Sequence, residues 1–202
     1  MWLRVTAHGR SGHASGGPGD DANAILKLIS RLDALRTLPA LAGEHPLLGT
    51  ASVGVRRIEG GTAVNMTPDR CHADIDVRFL PSHDPDAIEG AMTMLAGDDF
   101  EIERLDLKPV VESPADHPFA ATCLDACADE LGAAEGPFGV SYFSDSSALV
   151  PAFGLPRVII GPGELGLSGA HDEYCELGKL HAAARIFERI ARRTLTGNAR
   201  DA

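Results

Sequence analysis

The chain has 202 residues, 44% of them hydrophobic and 23% charged, a composition that suits a globular protein able to bury a real core. Twenty-nine acidic residues against eighteen basic ones leave a net charge of −11, which argues against the clustered positive surface that nucleic acid or an anionic membrane requires. Four scattered cysteines make no disulfide framework and no apolar run is long enough for a secretory core or a spanning helix, so the sequence reads as cytosolic.

The first element in the chain is "WLRVTAH" (2–8), which alternates as a half-buried strand does. A glycine-rich loop, "GRSGHASGGPGDD", follows and ends in Asp20 and Asp21, residue types that open helices well. The spacing then predicts a helix over 21–36 with Ile25, Leu28, Ile29, Leu32 and Leu35 on one face. "TASVGVRRIEGG" (50–61) reads as a second strand closing on a Gly-Gly turn. In "CHADIDVRFL" (71–80), Ala73, Ile75, Val77 and Phe79 alternate against His72, Asp74, Asp76 and Arg78, the cleanest strand pattern in the chain. "DPDAIEGAMTMLAG" (84–97) carries Asp at the N-cap and Pro at the first helical position, and "FEIERLDL" (100–107) is a further strand. The order β-α-β-β-α-β is the ferredoxin-like split arrangement and defines an expected domain over 1–110.

After Pro109 the pattern changes. Helix 118–131, strand 137–143, short helix 145–152, strand 156–161 and helix 177–195 alternate as in an α/β sheet. Two strands are too few to bury both faces of such a sheet, so residues 111–202 read as the C-terminal segment of an incomplete α/β domain.

Several residues are candidates for chemistry. His13 sits among glycines, where an imidazole has little to pack against and is free to reach a substrate. Arg78 lies on the polar face of its strand, able either to pair with Asp76 or Asp74 or to grip a carboxylate with two hydrogen bonds. Cys123 and Cys127 share a helix face and read as core thiols. Asp145 reads as the N-cap of the short helix, and with Ser144 it alternatively lines a cleft at a strand end. "GPGELG" (161–166) follows a strand but opens no helix, so it reads as a tight loop bringing backbone near a ligand rather than as a nucleotide fingerprint.

Four segments, "VTAHGRSGHAS", "IEGGTAVNMTPDRCHADIDVRFLP", "YFSDSSALVPAFGLPRVIIGPGE" and "HDEYCE", stand in an order and spacing that resembles the M20 metallopeptidase family, which includes acetylornithine deacetylase, succinyl-diaminopimelate desuccinylase, aminoacylase and carboxypeptidase G-like enzymes. The resemblance implies a two-domain hydrolase with two zinc ions, or cobalt or manganese, that cleaves an amide of an N-acyl amino acid or peptide beside a free carboxylate. It also implies that the ferredoxin-like domain is a lid that forms a homodimer. By motif, His13 resembles the lid histidine that reaches into the partner subunit's site and stabilises the oxyanion, Asn65 the lid asparagine near the substrate, and Arg78 the arginine that binds the substrate carboxylate. Gly161 and Gly163 resemble the loop lining the substrate pocket. His171 resembles a metal ligand, but the family spacing His-x-x-Asp/Asn-Glu falls on Gly169 instead.

In the family, most metal ligands and the general-base glutamate, marked by a His-x-Asp motif and a Glu-Glu pair, precede the lid. This sequence begins at the lid. A two-metal site needs ligands for ions about 3.5–4 Å apart, which a single histidine cannot supply. The expectation is therefore part of an amidohydrolase, inactive by itself and dependent on a missing N-terminal half; the alternative is a non-catalytic module for dimerisation or small-carboxylate binding.

Overall fold

The computed structural model describes residues 1–134 and 136–196. They form two compact units: Met1–Val110 together with Gly139–Phe143, and a second that takes in Val111–Phe138 and the chain from Ser144 onward.

The first unit is built on four strands and two helices: β1 (Trp2–His8), α1 (Ala24–Arg36), β2 (Ser52–Gly60), β3 (Arg70–Arg78), α2 (Pro85–Ala96) and β4 (Phe100–Asp106). The sheet order is β2-β3-β1-β4 with every pair antiparallel, the topology expected of the split β-α-β-β-α-β arrangement. Register follows from the alternation in the sequence. Leu3 opposes Ile75, Val5 opposes Ala73 and Ala7 opposes Cys71, so one face of the sheet is continuously apolar. Leu28 and Leu35 from α1 and Ile88 and Met92 from α2 cover that face, each at most 1% exposed. Burying each of these side chains contributes roughly 1.5–3 kcal/mol.

The opposite face is a lattice of charges. Arg4 grips Asp74 through Nε and Nη2 at 2.8 and 3.1 Å, Arg57 pairs with Glu59, and His72 lies 3.6 Å from Glu59. Asp76 was expected on the solvated face, yet it is only 6% exposed, because Arg78 and Arg56 close over its carboxylate.

Two details of α1 differ from the sequence reading. Asp20 and Asp21 fall in a short 3-10 turn, and Asn23 is the N-cap, its Oδ1 accepting from the N–H groups of Ile25 and Leu26 at 3.0 and 3.3 Å. Ile29, assigned to the core face, is 56% exposed. Helix α2 matches its signals: Asp84 caps it by accepting from the Asp86 N–H, and Pro85 opens its first turn.

The second unit holds α3 (Pro118–Leu131), α4 (Ser146–Phe153) and α5 (Leu177–Thr196). Helices α3 and α5 pack through Cys123, Ala126, Ala183 and Ile186, and Arg185 bonds Glu130 at 2.7 Å. Burial pushes the thiols of Cys123 and Cys127 up from their ordinary range, away from reactivity. At α4 the cap is a correction: Asp145 makes no side-chain capping bond, and the Ser146 N–H reaches Ser144 Oγ at 3.4 Å instead.

The strands expected over 137–143 and 156–161 are absent among the described residues, and residues 139–143 group with the first unit. A strand exists through its ladder, and neither segment has a neighbouring strand with which to exchange backbone hydrogen bonds. No helix among the described residues is long and apolar enough to cross a membrane.

Candidate functional site

The glycine-rich loop after β1 is pinned to the turn before β3. Gly12 pairs with Thr67 and His13 with Met66 in a two-residue antiparallel ladder, and the Ala14 N–H donates to the Asn65 carbonyl at 2.9 Å. His13 and Asn65, far apart in sequence, are thereby neighbours. Beyond His13 the chain turns sharply, with the N–H groups of Gly16 and Gly17 both donating to the His13 carbonyl at 3.2 and 2.7 Å. Gly17 is required for this: a Cβ there would lie 2.6 Å from the same carbonyl oxygen. The His13 ring is exposed, with Nδ1 2.7 Å from Ser15 Oγ and 3.3 Å from the Ser15 N–H. An open depression of about 480 Å³ borders this loop, lined by residues that include Ser15, Gly17, Asn23, Val64 and Thr67.

Arg78 lies at the far end of β3. Its Nε and Nη2 are each 2.8 Å from Asp76 Oδ2, and its Nη1 donates to the Ser141 carbonyl at 3.2 Å. The guanidinium stands 5.7 Å from the centre of the Phe143 ring, which meets Trp2 edge-on at 5.8 Å. A guanidinium has five N–H donors, so this arrangement fixes its plane and leaves one N–H on each terminal nitrogen for an incoming acceptor. The ion pair with Asp76 was foreseeable from alternation. The support from Ser141 and Phe143 was not, since nothing local in "VSYFSD" announces a contact with a strand more than sixty residues earlier.

Within the second unit the remaining candidates lie on exposed loops. Gly161 and Gly163 face open space, so packing inside the chain requires glycine at neither. His171 is exposed. Gly169 has φ +77°, a left-handed backbone that disfavours a side chain, and its N–H donates to Glu173 Oε2 at 2.9 Å. The loop thus turns at the position where the family spacing would call for the ligand.

Comparison with known proteins gives this arrangement its class. Residues 1–102 match the family model described as the peptidase dimerisation domain, so the first unit belongs to that domain family. The chain belongs to the M20 family of metallopeptidases. It is 30% identical over 172 residues to a putative succinyl-diaminopimelate desuccinylase of Mycobacterium tuberculosis, a match covering 83% of this chain and 46% of that protein. Among solved structures, the di-peptidase Dug1p of Saccharomyces cerevisiae superposes with a TM-score of 0.79 at 10% identity, covering 98% of this chain and 54% of that one. An M20 family metallo-carboxypeptidase of Sulfolobus solfataricus gives a TM-score of 0.75 at 13% identity, covering 94% and 56%. The chain spans about half the length of the curated relatives it matches.

Enzymes of this family are metal-dependent, generally on zinc. Among the described residues no three His, Cys, Asp or Glu side chains group closely enough to hold an ion. The described residues by themselves therefore do not form a metal centre.

Proposed function

We propose that this chain serves as the lid and the C-terminal part of the catalytic domain of an M20-type amidohydrolase that cleaves the amide of an N-acyl amino acid or peptide beside a free carboxylate. Residues 1–110 act as lid and dimerisation domain, and 111–202 contribute to the catalytic domain. The zinc ligands and the general base come from residues outside these 202, with His171 the candidate donor on this side. His13 donates a hydrogen bond to the oxyanion, Asn65 borders the substrate beside it, Arg78 binds the substrate carboxylate, and the loop at Gly161 and Gly163 lines the pocket.

The observation that supports this reading best is the separation of two candidate groups. His13 is tied to the turn that leads into β3, whereas Arg78 ends that strand. A strand rises about 3.3 Å per residue, so the two ends of β3 stand on the order of 25 Å apart. That separation supports a homodimer in which the two ends of one lid serve two different sites, His13 and Asn65 reaching the partner's site while Arg78 stays with its own.

The test is complementation. The chain is assayed against a panel of N-acyl amino acids alone, then co-produced with an M20 N-terminal segment bearing the His-x-Asp motif and the Glu-Glu pair, with zinc supplied. Activity is expected only in the second case, and Arg78→Lys should then raise KM more than it lowers kcat, because lysine loses the forked grip. Hydrolysis by the chain alone contradicts the reading.

A further inference from the structure

The proton on His13 is positioned by a neighbour that no sequence motif singles out. The Ser15 backbone N–H points at His13 Nδ1 at 3.3 Å. A backbone N–H can only donate, so Nδ1 must offer its lone pair. Ser15 Oγ lies 2.7 Å from the same nitrogen, and with Nδ1 accepting, the hydroxyl is the donor. The neutral ring then carries its proton on Nε2, which takes no hydrogen bond among the described residues. The opposite tautomer would aim an N–H at the Ser15 N–H and abolish one of the two bonds. The backbone that carries the ring is held on both sides: the His13 carbonyl accepts from Gly16 and Gly17, Gly12 pairs with Thr67, and the Ala14 N–H donates to the Asn65 carbonyl.

We infer that Ser15 is a positioning residue that holds His13 as an Nε2–H donor directed away from its own loop. The inference rests on the reading of His13 as the group that meets the oxyanion. A ring locked this way donates to a developing negative oxygen without first exchanging protons, whereas the other tautomer would present a lone pair to that oxygen and repel it. Every bond that fixes the ring is made inside one lid. The donor is therefore ready before any partner or substrate arrives.

The experiment is 15N-detected imidazole NMR on the 202-residue chain, with the His13 signals assigned by their loss in His13→Gln. With the ring neutral, the wild type should show one tautomer, with Nδ1 in the pyridine-like range and Nε2 in the pyrrole-like range. Ser15→Ala should mix the tautomers, and Ser15→Thr, which restores a hydroxyl, should recover the single form. A wild-type ring protonated on Nδ1 overturns the inference, as does an unchanged tautomer in Ser15→Ala. The role of His13 in hydrolysis is read separately, as the kcat lost by His13→Ala in the complemented enzyme, because alanine offers no N–H to the oxyanion. A single Ser15-dependent tautomer with full activity in His13→Ala keeps the lock and removes the oxyanion role; mixed wild-type tautomers with an impaired His13→Ala do the reverse.

Discussion

Two segments of similar pattern meet different fates. "FEIERLDL" forms β4 because β1 lies beside it, with Val5 opposite Ile102 and Thr6 opposite Glu101. "RVII" (157–160) is richer in β-branched residues but stays unladdered, with Val158 38% and Ile159 41% exposed. The difference lies in the surroundings rather than in the local sequence. Propensity and alternation make a segment fit to be a strand, and only a neighbouring strand satisfies its backbone groups. The first unit supplies its own neighbours; the second leaves Leu155, Val158 and Ile159 exposed without such pairing.

That contrast can be broken by truncation. Leu3→Ala or Ile75→Ala removes a side chain at most 1% exposed from the centre of the sheet, and each should destabilise the chain by about 2–5 kcal/mol in urea unfolding. Ile159→Ala should change stability by less than about 0.5 kcal/mol, since little is packed there to lose. A comparable loss at Ile159 would mean that the second unit has a core of its own at that segment.

A smaller effect sharpens the same comparison through the charged face of the sheet. Its hydrogen bond to Arg4 holds the Asp74 carboxyl below the ordinary carboxylate range, against a desolvation that raises it. A carboxyl depressed in the folded state adds stability that is complete above the unfolded value of 3.8 and is lost as pH falls through the lower folded value. Arg4→Gln should therefore weaken the chain modestly near neutral pH and leave a flatter decline below about pH 4. The side chains of Arg4 and Asp74 retain 30% and 20% exposure, so the pair is worth at most about 1 kcal/mol after screening by solvent. Thermal melts between pH 2.5 and 7 measure both terms.

Much of the first unit was legible because its signals are local. Alternation fixed the faces of β1 and β3, and Asp84-Pro85 marked the start of α2. Legibility failed where several residues competed or where distant parts of the chain decided. Asp20, Asp21 and Asn23 are all good caps, and only the 3-10 turn over 20–22 selects Asn23. Ile29 lies on the periodic stripe, yet it stays 56% exposed, which periodicity alone does not reveal. Of the candidate site, His13, Asn65 and Arg78 were readable as residue types in motifs. The pinning of His13 to the Asn65 turn depends on the ladder between Gly12 and Thr67, and the bond from Ser15 depends on ångström-scale placement that spacing does not encode. At Gly169 to His171 the sequence departs from the family spacing, and the left-handed turn at Gly169 appears only in three dimensions.

The proposed reading is that these 202 residues carry a lid and one wall of a metallopeptidase site, with the metal donors supplied by residues outside them. The most direct measurement is the zinc content of the purified chain after equilibration with zinc and exhaustive dialysis, read by plasma mass spectrometry. The account predicts well under one zinc per chain; two zinc ions per chain, retained through dialysis, would contradict it.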